Sequence, residues 1–355
     1  MKKRLVNACL ALAVLASGIL TSLSAFAIWM DPNLRPVRQA AVDEITARVD
    51  HQLGLAATAD GLATRIDRRL NETPRNWLAL DALINLAAER AIILPPDLAA
   101  RVADARDQDF SLLALAEDCA VCAANISACT LTTALVCKAP ILLTPIEDLR
   151  GILQGAVDYA TGDEVDQVDV GLSIIGLSAT ALAVSSGGSS LTVKAGSATV
   201  KLAKGMNRLS PSLLSMITDT VKTGIDWARV PAVRTSDDLV KLVRADAVLP
   251  LADTLAALGR TADALGPSAT LHLLPLVDTA ADATRLSRAS QALGPRTVAA
   301  FEVLGKSRVF RATLRVTDVA IQLTVGLAGL FLSLGSALAG FIQTAVLRGM
   351  RHRIA

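Results

Sequence analysis

The chain has 355 residues, of which 52% are apolar and only 3% aromatic, and its formal net charge is +2 at pH 7. This composition argues against nucleic-acid binding, because it supplies neither the positive charge that attracts phosphates nor the aromatic rings that stack on bases. Apolar residues recur at helical spacing in an Ala- and Leu-rich chain, so the predicted fold class is all-α. The length allows two helical regions, residues 31–162 and 163–317.

The first 30 residues are predicted to direct the chain to a membrane. Basic residues 2–4 precede an uncharged stretch over residues 5–30. Ala25 and Ala27 could flank a signal-peptidase site, which favours a cleaved signal peptide. The length of the stretch, together with an aromatic residue, Trp29, at the position of a bilayer interface, equally favours an uncleaved signal anchor. Under either interpretation the basic start stays inside and the following residues cross the membrane.

Residues 37–70 have the pattern of one or two amphipathic helices. The arginines expected on their exposed side are Arg48, Arg65, Arg68 and Arg69. Thr73 is expected to cap the next helix, with Pro74 at its first position. That helix should bury Trp77 and stop before the two prolines at 95–96, and another helix is predicted over 97–107.

Four cysteines lie within a short disulfide-rich segment, residues 119–137, and they are Cys119, Cys122, Cys129 and Cys137. An even set is typical of two disulfides in an oxidising compartment. Three connectivities are possible, and a helical hairpin turning near residues 125–128 would favour the nested one, Cys119 with Cys137 and Cys122 with Cys129. The Cys-x-x-Cys spacing also suits half of a zinc site or a redox-active pair. However, no histidine and no thioredoxin-like strand and helix lie near it.

Residues 163–208 are predicted to form a helical hairpin. The carboxylates at 163–169 lie at the amino end of the first helix, where the helix dipole favours negative charge. They are not expected to bind calcium, because the glycine at the sixth position of a calcium-binding loop is absent. An uncharged run and a Ser/Gly turn follow, and then Lys194, Lys201 and Arg208 recur every seven residues on one face, opposite the apolar one. A hairpin buried in a helical domain is the simpler interpretation. The alternative is a membrane-active, pore-forming or toxin-like effector whose 170–208 hairpin enters a bilayer.

Residues 250–295 contain a weak internal repeat. Residues 250–254 and 264–267 are similar to residues 275–279 and 292–295, and each copy ends in Ala-Leu-Gly-Pro. The pattern predicts a helix with a glycine stop and a proline restart in each copy. Two stacked helical repeats, or a chance similarity in an Ala/Leu-rich chain, would account for it equally well.

Motifs for catalysis, metal binding and nucleotide binding are missing from the sequence. His51, His272 and His352 are far apart, and no phosphate loop, dinucleotide fingerprint, Gly-x-Ser-x-Gly or His-Glu-x-x-His motif occurs. No catalytic residue, metal or cofactor is therefore predicted, and we expect the protein not to be an enzyme. An enzyme whose site is assembled from scattered carboxylates and arginines is the least favoured of the three classes.

A second uncharged run, residues 319–347, predicts a transmembrane helix over 318–347, followed by a basic cytoplasmic tail, 348–355. Small residues on one ridge of this helix indicate close packing against a second copy, an uncleaved anchor or another membrane protein. The ridge consists of Gly329, Ser333, Ser336, Ala337 and Gly340.

Together these features predict a bacterial inner-membrane protein with a disulfide-braced, α-helical domain in the periplasm. Its predicted role is structural, scaffolding or protein interaction. The expected partners are membrane lipid and an unknown protein, which could be a second copy bound through the carboxyl-terminal helix.

Overall fold

The computed structural model describes residues 35–133, 137, 151–155, 157–158, 161, 165–186, 191–233 and 235–313. The predicted signal or anchor (1–30), transmembrane helix (318–347) and basic tail (348–355) lie outside the described residues. So does the small-residue ridge formed by Gly329, Ser333, Ser336, Ala337 and Gly340. Among the residues that are described, no helix is both long enough and apolar enough to cross a membrane.

The described part of the chain is built from α-helices and has no β-strand, which confirms the all-α class. The helices are α1 (Arg35–Ala56), α2 (Ala59–Leu70), α3 (Trp77–Glu89), α4 (Pro96–Asp109), α5 (Leu112–Ala124), α6 (Gln167–Ser186), α7 (Leu191–Gly205), α8 (Pro211–Gly224), α9 (Ser236–Leu242), α10 (Ala245–Leu265), α11 (Pro267–Leu273), α12 (Ala280–Leu293) and α13 (Arg296–Leu304). Short 3₁₀ turns lie at Ile126–Ala128, Trp227–Ala232 and Leu274–Leu276, and residues 131–133, 151–155, 157–158, 161 and 306–313 are also helical.

The chain divides into two compact units between Glu44 and Ile45. In the first, the side chain of Gln39 donates a hydrogen bond to Asp43 one turn later in α1. The second unit contains the remaining described helices, and regions on either side of residue 163 pack together in it, with α3 against α13.

Within the second unit, the last three turns of α1 meet α12 and α13. The Thr46 hydroxyl donates to the carbonyl oxygen of Ala292 over 3.0 Å. The Arg296 guanidinium lies 3.1 Å from the carboxylate of Asp50. A helix from the amino-terminal part of this unit is therefore attached to helices from its carboxyl-terminal part.

The central helix of the second unit is α10, which contacts α7, α8, α11 and α12. Its crossing with α7 is a backbone-to-backbone contact, because a glycine stands on each side. A methyl group on Gly196 would overlap the carbonyl oxygen of Leu255, and one on Gly259 would overlap that of Thr192. These two helices can therefore reach their observed separation only with glycine at both positions.

The predicted hairpin is formed by α6 and α7, and it lies inside the second unit. Residues 170–176 of α6 are all buried, and α6 contacts α7, α8 and α9. The prediction that the three cations of this segment lie opposite the apolar face is wrong. The side chain of Lys201 is 9% exposed and its Nζ donates to Ser173 Oγ on α6 over 2.8 Å. Arg208 lies past the end of α7, where burial lowers the pKa of its guanidinium.

The predicted start of α3 is also wrong. The helix begins at Trp77, after Asn76, whose side-chain oxygen accepts a hydrogen bond from the backbone N–H of Ala79 over 3.2 Å. Thr73 and Pro74 lie in the preceding loop, joined by a cis peptide bond. Asn76 is an effective capping residue, and its cap determines where the helix starts. Trp77 is buried, as predicted.

The two copies of the weak repeat in residues 250–295 have different structures. Residues 250–254 lie inside α10, whereas 275–279 form a 3₁₀ turn and the loop before α12. The two copies agree at their ends, where Gly266 and Gly294 stop α10 and α12 with φ of 82° and 53°. Glycine adopts this left-handed conformation without steric cost, which explains the shared Gly-Pro junction.

Candidate interaction surface

The cysteine segment contains α5 and the turns that follow it. The Cα atoms of Cys119 and Cys137 are 5.7 Å apart and those of Cys122 and Cys129 are 4.4 Å apart, with both pairs at disulfide distance in the nested arrangement. The turn between them is the 3₁₀ segment Ile126–Ala128. Among the described residues no group of three or more His, Cys, Asp or Glu side chains could hold a metal ion.

Helix α5 is attached to the domain along one side only. Its start is capped by Ser111, whose Oγ accepts from the backbone N–H of Ala114 over 3.3 Å. Cys122 is the single buried residue of this helix. The two crosslinks and the cap therefore hold α5 in place although most of its side chains reach solvent.

The outward side of α5 is apolar. Leu112 is 88% exposed and Leu113 is 79% exposed, and four exposed alanines continue the surface toward the end of the helix. At 3.6 residues per turn these side chains span an arc of about 120° opposite Cys122. We refer to them as the α5 face, which consists of Leu112, Leu113, Ala116, Ala120, Ala123 and Ala124.

A groove of about 330 Å³ lies on the other side of α5, toward the loop that precedes α3. Its apolar wall includes Trp77 and Phe110, whose rings meet edge to face at 5.5 Å. Asp109 accepts from Trp77 Nε1 and from Arg75 Nη1, each over 2.8 Å. Asp118 of α5 also lines the groove, and this carboxylate is exposed and makes no ion pair with another described residue.

Helices α4 and α5 together carry a negative excess. Their arginines are neutralised, since Arg101 lies 2.7 Å from Asp67 and Arg106 pairs with Asp81. Five exposed carboxylates on these two helices make no ion pair with any described residue. They are Asp97, Asp104, Asp107, Glu117 and Asp118. These two helices therefore carry uncompensated negative charge among the described residues.

A second polar cluster, the buried Glu302 network, was not predicted. Glu302 accepts hydrogen bonds from Arg69 Nη2 at 2.7 Å and pairs with His272 Nε2 at 3.0 Å. The other ring nitrogen of His272 lies 3.0 Å from Asn76 Nδ2. Arg65 donates to the backbone carbonyl of Glu302 over 3.4 Å. The network joins α2, the start of α3, α11 and α13.

The expectation that Arg65 and Arg69 are among the exposed arginines is wrong, because their guanidinium groups bind α13. Burial by itself raises the pKa of Glu302. Hydrogen bonds from His272 and Arg69 and the charge of Arg69 outweigh burial, so the pKa of this carboxyl lies below its usual range.

A cavity of about 300 Å³ lies next to the Glu302 network. Only 9% of the His272 side chain and 6% of the Glu302 side chain are exposed. Both ring nitrogens of His272 have partners within the network. The network is therefore suited to joining helices. It joins residues 65–76 to residues 272–302, more than 190 positions later in the chain, as in Asn76 and His272, and no local pattern connects these two stretches.

Comparisons with known proteins find no match, whether with protein-family models, with curated proteins or with solved structures. Of the predicted site residues, the four cysteines come together around α5, and the small-residue ridge lies outside the described residues. The α5 face was not singled out in the sequence. Its only sequence signal is a helical segment with leucines and alanines on the side opposite Cys122.

Proposed function

We propose that the protein is a bacterial inner-membrane protein whose disulfide-braced periplasmic domain has a scaffolding or protein-interaction role. The α5 face carries this proposal. Contiguous exposed apolar surfaces on soluble proteins often mark interaction sites, and two highly exposed leucines beside four exposed alanines form such a surface. Burying one leucine side chain against a partner contributes about 2 kcal/mol.

The way in which α5 is held also supports an interaction role. A helix fixed by two crosslinks and an N-cap loses little conformational entropy when a partner binds to it, and preorganisation of this kind favours affinity. The periplasmic location and the membrane attachment rest on the two uncharged end segments and on the cysteine pairs, which are stable in an oxidising compartment.

Topology is the first test. Reporters that are active only in the periplasm or only in the cytoplasm should be fused after residues 110, 230 and 355. We expect periplasmic signals at 110 and 230 and a cytoplasmic signal at 355. Cys119, Cys122, Cys129 and Cys137 should react with a thiol reagent only after reduction. A cytoplasmic signal at 110, together with freely reacting thiols, would refute the periplasmic assignment.

Photo-crosslinking in living cells tests the surface itself. A photoreactive amino acid at position 112 or 113 is expected to give protein adducts at several times the yield of the same group at position 249. Leu249 is a matched control, since it is 60% exposed but lies on α10. Equal yields at all three positions would show that the α5 face has no preferred partner, and the interaction role would then fail.

A further inference from the structure

We propose that the α5 face binds an amphipathic helix of another protein, whose apolar stripe is bordered by lysines or arginines. This inference rests on the proposed function and specifies the partner's chemistry. Three features of the described residues point to it: the shape of the α5 face, the order of residues around the helix, and the unpaired carboxylates of α4 and α5.

The shape of the α5 face favours a helical partner. Its two leucines lie at the start of the helix and its alanines follow, so the middle and end of the face have only methyl groups. Helix axes pack at about 8–10 Å depending on the side chains between them, and small side chains give the shorter distance. A partner helix could therefore lie along α5 closely, with its larger residues over Ala116 and Ala120.

A carboxylate borders this face. Proceeding around α5 past Leu113 and Ala124, the next exposed residues are Glu117 and then Val121, whereas Asp118 lies on the groove side of the helix, away from the face. A cation on the flank of a bound helix would meet Glu117, while its aliphatic stem covers Val121. The carboxylates Asp97, Asp104 and Asp107 on α4 add negative charge that would attract such a partner from solution.

The same charges argue against two other occupants. Asp118 is the middle residue of α5, which runs from Leu112 to Ala124. In an antiparallel pair of α5 faces, the Glu117 carboxylates of the two copies would lie close together on the same edge of the contact. A parallel pair would leave them without cations. An anionic lipid surface would be repelled by the same groups. A basic helix satisfies both the apolar face and its acidic border.

The test uses the full-length protein in nanodiscs of zwitterionic lipid, with empty nanodiscs as the blank. The probe is a labelled helical peptide of about 18 residues, long enough to cover α5, with Leu and Ala on one face and Lys on its flanks. A second peptide has the same apolar face with Glu in place of Lys. Binding is followed by fluorescence anisotropy.

We expect saturable binding of the Lys peptide and at least about tenfold weaker binding of the Glu peptide. The double variant L112S/L113S should weaken binding of the Lys peptide about tenfold or more, whereas L249S should stay within about twofold of the parent. E117Q should reduce the affinity about threefold and flatten its decrease as salt rises from about 50 to 300 mM, whereas D118N, on the groove side of α5, should have a smaller effect. These surface substitutions are not expected to alter folding, which circular dichroism checks.

Equal binding of the two peptides, or unchanged binding to L112S/L113S, would overturn the proposal. Adducts formed at positions 112 and 113 distinguish this failure from failure of the proposed function. If adducts form while the Lys peptide does not bind, the interaction role stands and the basic-helix partner is wrong. Adducts with lipid, or with a second copy of the chain, would also overturn it and would identify the occupant.

Discussion

Gly196→Ala is expected to lower the free energy of unfolding by about 3 kcal/mol, toward the upper end of the range for overpacked cores. The added methyl group would overlap the backbone carbonyl of Leu255, and a backbone atom cannot move aside as a side chain can. Alanine gains about 1 kcal/mol of helix propensity over glycine, which is too little to compensate. Gly259→Ala should behave similarly, because its methyl group would overlap the carbonyl of Thr192.

Chemical unfolding followed by circular dichroism checks this result, with Gly54→Ala as the matched control. Gly54 lies in α1, is exposed, and would place its methyl group 3.4 Å from the end of the Arg90 side chain. This control should be neutral or stabilising by up to about 1 kcal/mol. If G196A were as stable as G54A, the backbone contact between α7 and α10 would be incorrect.

Glu302→Gln is expected to destabilise the protein by about 2 kcal/mol at pH 7, because it leaves the partly buried Arg69 guanidinium with only the carboxylate of Glu72, 2.8 Å away, as an ionic partner. Glu89→Gln is the matched control. Glu89 also pairs with an arginine, Arg296, over 3.0 Å, but both side chains are more than 40% exposed. Its loss should cost less than about 1 kcal/mol.

The effect of Glu302→Gln should depend on pH. The pKa of Glu302 is lower in the folded protein than in the unfolded chain, so its contribution to stability is complete above the unfolded pKa of about 4.3. That contribution is lost as the pH falls through the folded pKa. The difference in unfolding free energy between the parent and E302Q should therefore narrow below about pH 4. A difference that stays constant down to pH 3 would contradict the assigned ionic contacts.

The sequence predicts those parts of the fold that depend on local physics. Helical periodicity yields the all-α class, and Gly266 and Gly294 end their helices because only glycine adopts their φ values without cost. The start of α3 was predicted wrongly because two residues that can cap a helix, Thr73 and Asn76, lie within four positions of each other. Arg75 donates to the Leu70 carbonyl and to Asp109, and these contacts hold the loop so that Asn76 becomes the cap.

Tertiary contacts explain the other differences. A seven-residue spacing indicates that Lys194 and Lys201 share a helix face, but it does not reveal that Ser173 of α6 lies against that face. The Glu302 network likewise brings together residues whose sequence neighbours give no sign of pairing. The α5 face is concealed for the opposite reason. Leucines on a helix usually mark the core, and only the packing shows that Leu112 and Leu113 point to solvent.

The contacts of Thr46 with Ala292 and of Asp50 with Arg296 have a mechanical consequence. Tension between the two ends of the described chain would act first on the junction of α1 with α12 and α13. It would be opposed there by short-range bonds and would not be transmitted through α5.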